Sequence, residues 1–193
     1  MKRRCVLGVL KTVTGLRVRD SFLRWLYDRY EVMTVEQDPP GALFEYPAIK
    51  LAGSLAADLN EPVLYIHTKG AARINAAQPM VRGFWEMEFT KHRDTYFDMV
   101  SVGEKASASA PIVSSKNKIC WFNGFVLNPA LGALIRDHVK PSEDRMFFEQ
   151  GMLKSLEEFG ELDVRGMYDS DADTANDGWT SFLRIYSREI AKK

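Results

Sequence analysis

The chain is short of cysteine, of charge imbalance and of long apolar runs, and each shortage removes a class of protein. Its two cysteines among 193 residues, Cys5 and Cys120, lie far apart. They make neither a metal-ligand spacing nor a disulfide framework, so both are expected as small core residues in a reducing, cytoplasmic setting. Lys plus Arg equals Asp plus Glu at 26 each, leaving no formal net charge. That balance argues against gripping nucleic acid through bulk positive charge and gives no strong nucleic-acid signal. No apolar run approaches the roughly 20 residues a membrane helix needs, so no transmembrane segment is expected. The start, Lys2-Arg3-Arg4 followed by Cys5-Val6-Leu7-Gly8-Val9-Leu10, imitates a signal peptide. Lys11 ends the apolar run too early and no small-residue cleavage site follows, so the run reads as a first strand. There is also no internal repeat, low-complexity block or dividing linker.

What is present is an alternation of strand and helix patterns. A chain of this length suits one domain that buries roughly 70% of its unfolded surface. Val18, Phe22, Leu23, Trp25, Leu26 and Tyr30 recur at helical spacing, residues 31–36 form a short strand, and Asp38-Pro39-Pro40-Gly41 breaks the pattern. A second helix starts near Glu45-Tyr46-Pro47, carries Ala48, Ala52, Leu55, Ala56 and Leu59 on one face, and stops at Asn60. Next comes the buried strand Val63-Leu64-Tyr65-Ile66. Strand, helix, strand, helix, strand opens a doubly wound, mostly parallel α/β sheet.

Residues 81–100 read as one long helix whose stripe of Phe84, Trp85, Phe89, Tyr96 and Phe97 is expected in the core, with His92 a helix histidine. From 101 to 118 the expectation is short strands and turns, a less regular second half. A strand at 119–122, a turn at Asn123-Gly124, a strand at 125–128 and a helix at 129–139 follow. Pro141-Ser142-Glu143-Asp144-Arg145 starts the next helix, with Ser142 placed to accept a backbone N–H. A strand around 162–164, an acid-rich loop at 168–173 and a helix bearing Trp179, Phe182, Leu183, Tyr186 and Ile190 complete the chain.

The strand Val63-Leu64-Tyr65-Ile66 runs straight into His67-Thr68-Lys69-Gly70 without a polar spacer. In an open α/β sheet, ligands sit outside the carboxyl ends of the strands. A titratable ring, a hydroxyl, an ammonium and a permissive glycine there make this tip the first candidate for a binding site. The competing reading is an ordinary strand-to-loop exit facing water.

Several segments in order resemble bacterial and viral glycosyltransferase-like proteins with a GT-A type, Rossmann-like sheet. They are Glu45-Tyr46-Pro47-Ala48-Ile49-Lys50, the strand end His67-Thr68-Lys69-Gly70, and the helix with Trp85, Met87, Glu88 and Phe89. Val102-Gly103, Trp121-Phe122-Asn123-Gly124-Phe125-Val126-Leu127-Asn128 and Asp144-Arg145 with Glu149 follow. The resemblance implies one GT-A-like domain over residues 1–193. It has a nucleotide-binding half to about residue 100 and an acceptor-side half beyond it.

The implied activity moves a sugar from a nucleotide-diphosphate donor, for example a UDP-sugar, to an acceptor hydroxyl in glycan or polysaccharide synthesis. Such a donor sheds a charged pyrophosphate, so the site needs cations or aligned N–H groups there. Lys69 and Gly70 suit phosphate; His67, Thr68 and Arg145 are further contacts. Lys11, Thr12 and Thr14 would border the nucleobase, and Trp121, Asn123 and Gly124 the substrate. Asp144 is the expected general base, with Glu143 and Glu149 as alternates. Helix capping accounts for Glu143 and Asp144 equally well.

Many GT-A enzymes carry Asp-x-Asp where this chain has His67-Thr68-Lys69, so these groups replace the metal clamp or a metal binds elsewhere. Asp169, Asp171 and Asp173 are the candidates for Mn²⁺ or Mg²⁺, since hard cations favour carboxylate oxygens; a solvated acidic loop is the competing reading. Two other functions stay open: a non-catalytic nucleotide-sugar or glycan-binding module, and a phage-type transferase acting on modified DNA bases.

Overall fold

A computed structural model describes residues 3–10, 20–37, 45–67, 77–101, 104–121, 124–144, 146–170 and 175–190. The first half follows the periodicity closely. Strand β1 (Arg3–Leu10), helix α1 (Asp20–Arg29), β2 (Tyr30–Gln37), α2 (Tyr46–Leu59) and β3 (Val63–His67) succeed one another. Pro47 sits in the first turn of α2, where its missing N–H costs nothing. Asn60 ends that helix in the left-handed conformation at φ 51°, its N–H satisfied by the carbonyls of Ala56 and Ala57.

The stripe of residues 81–100 forms two helices, α3 (Ala77–Lys91) and α4 (Arg93–Ser101). His92 N–H bonds Glu88 O at 2.7 Å and Tyr96 N–H bonds His92 O at 3.2 Å, so the ladder crosses the joint. The expected single helix is therefore present with a bend at His92.

The second half departs further from expectation. The small-residue run read as short strands and turns is one fully buried strand, β4 (Ala106–Ser114), with Pro111 inside it. Proline removes a ladder donor and argues against a central strand. Here β6 (Gly124–Leu127) pairs with Ala108 and Ser109, while β5 (Ile119–Cys120) pairs with Val113 and Ser114. Since β7 (Leu162–Asp169) runs along β4 from Ala106 to Val113, β5 and β6 share the other edge, and Pro111 falls in the gap between them. The register with β7 likewise passes over Pro111, from Ala110↔Gly166 to Ile112↔Tyr168.

Helix α5 (Pro129–His138) is capped by Asn128, whose Oδ1 accepts the N–H of Leu131 at 2.9 Å and of Ser107 at 3.0 Å. The helix expected from Pro141 begins later, with a π-turn at Phe147–Gly151 running into α6 (Met152–Ser155) and a 3-10 turn at Leu156–Glu158. Tyr168 and Asp169, read as loop, belong to β7. Helix α7 (Ala175–Ile190) closes the described chain.

The result is an α/β fold around a mixed open sheet of order β2-β1-β3-β6-β4, with β5 and β7 beside β4. Strands β1, β2, β3, β4 and β7 share one direction; β5 and β6 oppose it. Helices cover both faces, α2 and α5 on one and α3, α4 and α7 on the other. No described helix is long and apolar enough to cross a membrane.

Candidate functional site

The shared direction of five strands brings their carboxyl ends, at Leu10, Gln37, His67, Ser114 and Asp169, to one edge of the sheet. The first residue of antiparallel β6, Gly124, lies on the same edge beside Ile66. This is the edge at which open α/β sheets bind ligands.

His67 is the last residue of β3 and is 1% exposed. Side chains alternate across a strand, and Val63 and Tyr65 pack on the α2–α5 face whereas Leu64 and Ile66 pack on the aromatic one. His67 therefore points toward α2. Glu45, the residue immediately before α2 and 3% exposed, meets it there: Nε2 of His67 lies 3.1 Å from Oε1 of Glu45. Taking a carboxylate out of water is costly unless a partner is supplied, and the imidazole supplies one. A third element reaches the same place. Tyr46, next to Glu45, packs its ring 6.4 Å from that of Phe148 in the π-turn that follows Asp144.

Asp144 itself is exposed, and its carboxylate accepts the N–H of Met146 at 2.8 Å. Its own N–H donates to Ser142 Oγ at 3.1 Å, a local serine turn ahead of the helix rather than the helix cap expected of that serine. Glu143 is exposed; Glu149 lies within the π-turn, with its side chain outside the description. Gly124 is buried beneath Trp85, where an added Cβ would sit 2.9 Å from the indole. Trp121 is 4% exposed; its Nε1 donates to Ser170 Oγ at 3.1 Å and its ring faces Gly178. Asp169 ends β7 and accepts the N–H of Ser115 at 3.2 Å. Lys11, Thr12, Thr14, Thr68, Lys69, Gly70, Asn123, Arg145, Asp171 and Asp173 lie outside the described residues.

Chemistry behind this edge is restrained by burial. The Cys5 and Cys120 thiols are held well above their ordinary pKa by desolvation, which makes both poor nucleophiles at neutral pH. Tyr168 is pushed up to about 12 by burial and by the nearby Glu88 and Glu189 carboxylates. Tyr96, raised by burial and then by Glu88, donates its hydroxyl to Glu88 Oε2 at 2.7 Å. Among the described residues no three His, Cys, Asp or Glu side chains gather as a metal site.

Glu45 is the site residue that reading the sequence assigned no role. Its signal was the alternation Val63, Tyr65, His67 together with a charged residue placed directly ahead of a proline-started helix. No protein-family model matches the chain, and no curated protein is significantly similar to it.

Proposed function

We propose that this chain is a GT-A-type glycosyltransferase that moves a sugar from a nucleotide-diphosphate donor to an acceptor hydroxyl. The observation that carries the reading is the meeting, at one sheet edge, of buried His67, buried Glu45 and, through the Tyr46–Phe148 contact, the segment that starts at Asp144. An edge of this kind receives the ligand in open α/β sheets. Glu45 holds the imidazole in one orientation, so that His67 presents a fixed polar atom to the phosphate or sugar. Lys69 offsets the charge that grows on the departing diphosphate, and Gly70 lets the backbone approach it. Asp144 takes the acceptor proton as the acceptor oxygen attacks the anomeric carbon and the bond to the nucleoside diphosphate breaks.

Of the three aspartates named for Mn²⁺ or Mg²⁺, only Asp169 is described, and it already receives a backbone N–H. The capping role of Asp144 favours the second reading, a module that binds nucleotide sugar without turnover, because that carboxylate already serves the chain.

Transfer and hydrolysis measured across a panel of nucleotide sugars, with and without Mn²⁺ or Mg²⁺, separate the two. Lys69→Ala should weaken donor binding, whereas Asp144→Asn should bind donor normally and lose transfer. Normal transfer by both variants would overturn the site assignment; binding without turnover by the parent chain would select the module.

A further inference from the structure

The opposite, amino edge of the sheet carries a polar cavity that does not depend on the glycosyltransferase reading. Its volume is about 310 Å³, and its lining includes Arg29, Thr90, Lys91, His92, Arg93 and Asp94. Arg29 ends α1 just before Tyr30, whose register partner is Arg3, the first residue of β1; this places the cavity at the amino edge. The bend between α3 and α4 supplies the other wall.

Three permanent cations, Arg29, Lys91 and Arg93, face a single carboxylate, Asp94, so two positive charges remain over. Arg93 engages Asp94 through Nε and Nη2 at 3.1 and 3.4 Å, and both side chains are well exposed. Arg3 lies over the Phe97 ring at 4.8 Å, near enough to act on Asp94.

Tyr30 stands behind these cations: it follows Arg29 directly, is 1% exposed, and its hydroxyl has no hydrogen-bond partner among the described residues. Trp25 Nε1 donates to Thr90 Oγ1 at 2.5 Å, the Trp25 and Tyr30 rings meet edge-on at 6.0 Å, and the Arg29 guanidinium stands 5.9 Å from the indole.

We infer that this cavity binds a phosphate dianion, free or as the terminal group of a small ester, between Arg29, Lys91 and Arg93. Guanidinium groups match phosphate in fork geometry, two excess positive charges match a dianion, and the volume lies at the lower end of small-molecule sites. Arg93 exchanges Asp94 for the ligand, so Asp94 works against binding.

The test uses the full chain labelled with ¹⁵N, following the Trp25 indole N–H resonance, which Trp25→Phe identifies by its loss. Inorganic phosphate, glycerol 3-phosphate and acetate are titrated separately at constant ionic strength. Saturable movement of the Trp25 signal with the two phosphates and not with acetate is expected, and the tighter of the two phosphates identifies the source. Arg29→Gln and Arg93→Gln should each weaken binding about tenfold, and Asp94→Asn should tighten it several-fold. Lys69→Ala should titrate like the parent, which separates this cavity from any phosphate site at the carboxyl edge. A Trp25 signal that stays still in tens of millimolar phosphate, that moves equally with acetate, or that titrates unchanged in folded Arg29→Gln and Arg93→Gln would overturn the inference.

Discussion

The two faces of the sheet are packed by opposite means. On one face α2 and α5 meet through their smallest residues. A Cβ added to Gly132 would lie 2.7 Å from the Gly53 carbonyl oxygen and 2.8 Å from Ala56 Cβ, and one added to Gly53 would lie 2.6 Å from Ile135 Cγ2. Lys50 Nζ then fastens the end of α5 by donating to the carbonyls of Arg136 and Val139. On the other face, large rings fill the space: Phe84 and Phe182 meet edge-on at 5.5 Å, and Phe89 and Tyr96 at 5.1 Å. On the aromatic face the buried Tyr96 hydroxyl finds a partner in Glu88, while the Tyr30 hydroxyl has none among the described residues. The small-residue face buries the Tyr65 hydroxyl in its middle and one acid–imidazole pair at its carboxyl end, Glu45 with His67. Close backbone contact thus fixes where α2 begins, and the start of α2 fixes what His67 meets.

The largest test of this contrast is Trp85→Ala, which should cost about 3–5 kcal/mol in urea unfolding because the indole is fully buried. Gly124→Ala alone should destabilise by crowding the same ring, yet be close to neutral in the Trp85→Ala background. Additive losses would show that the two do not share that space. On the opposite face, Gly132→Ala should cost about 1–3 kcal/mol, since the added methyl meets backbone that cannot turn aside. A loss under roughly 0.5 kcal/mol would mean that α2 and α5 slide apart freely.

Glu45→Ala should cost about 1–2 kcal/mol by leaving the His67 imidazole buried beside a void, and should weaken donor binding alongside. Unchanged stability and unchanged donor titration would remove the pair from both roles. The smallest effect is expected at the exposed rim. The hydrogen bond from Arg93, ahead of its charge, holds the Asp94 carboxyl below its ordinary pKa. A folded-state value lowered below the unfolded one stabilises above the unfolded pKa, and that support fades as pH falls through the folded value. Asp94→Asn should therefore lower Tm slightly at pH 7 and not at all at strongly acid pH, by less than about 1 kcal/mol after solvent screening. A larger loss in acid than at neutrality would contradict the assignment.

Much of the fold was legible because periodicity is a local property. Alternation and apolar runs located β1, β2 and β3, helical spacing located α1, α2 and α7, and Asn60 and Asn128 behaved as stop and cap. The errors came from rules whose outcome depends on neighbours. Pro111 argues against a strand unless the adjacent strands leave a gap at its nitrogen, and whether β5 and β6 do so is invisible in their own residues. His92 carries no helix-breaking chemistry, so the bend between α3 and α4 left no mark in composition.

The candidate site divides in the same way. Amino-acid order alone determined that a buried strand ends in His67-Thr68-Lys69-Gly70, since hydrophobic pattern and residue identity are written along the chain. Tertiary structure decided that Glu45 stands 3.1 Å from His67, that Trp85 occupies the space over Gly124, and that a cavity lined by Arg29 and Arg93 opens at the far edge. Each depends on the distance between elements remote in sequence. That distance is set by how closely helices and sheet can pack, not by any residue's own preference.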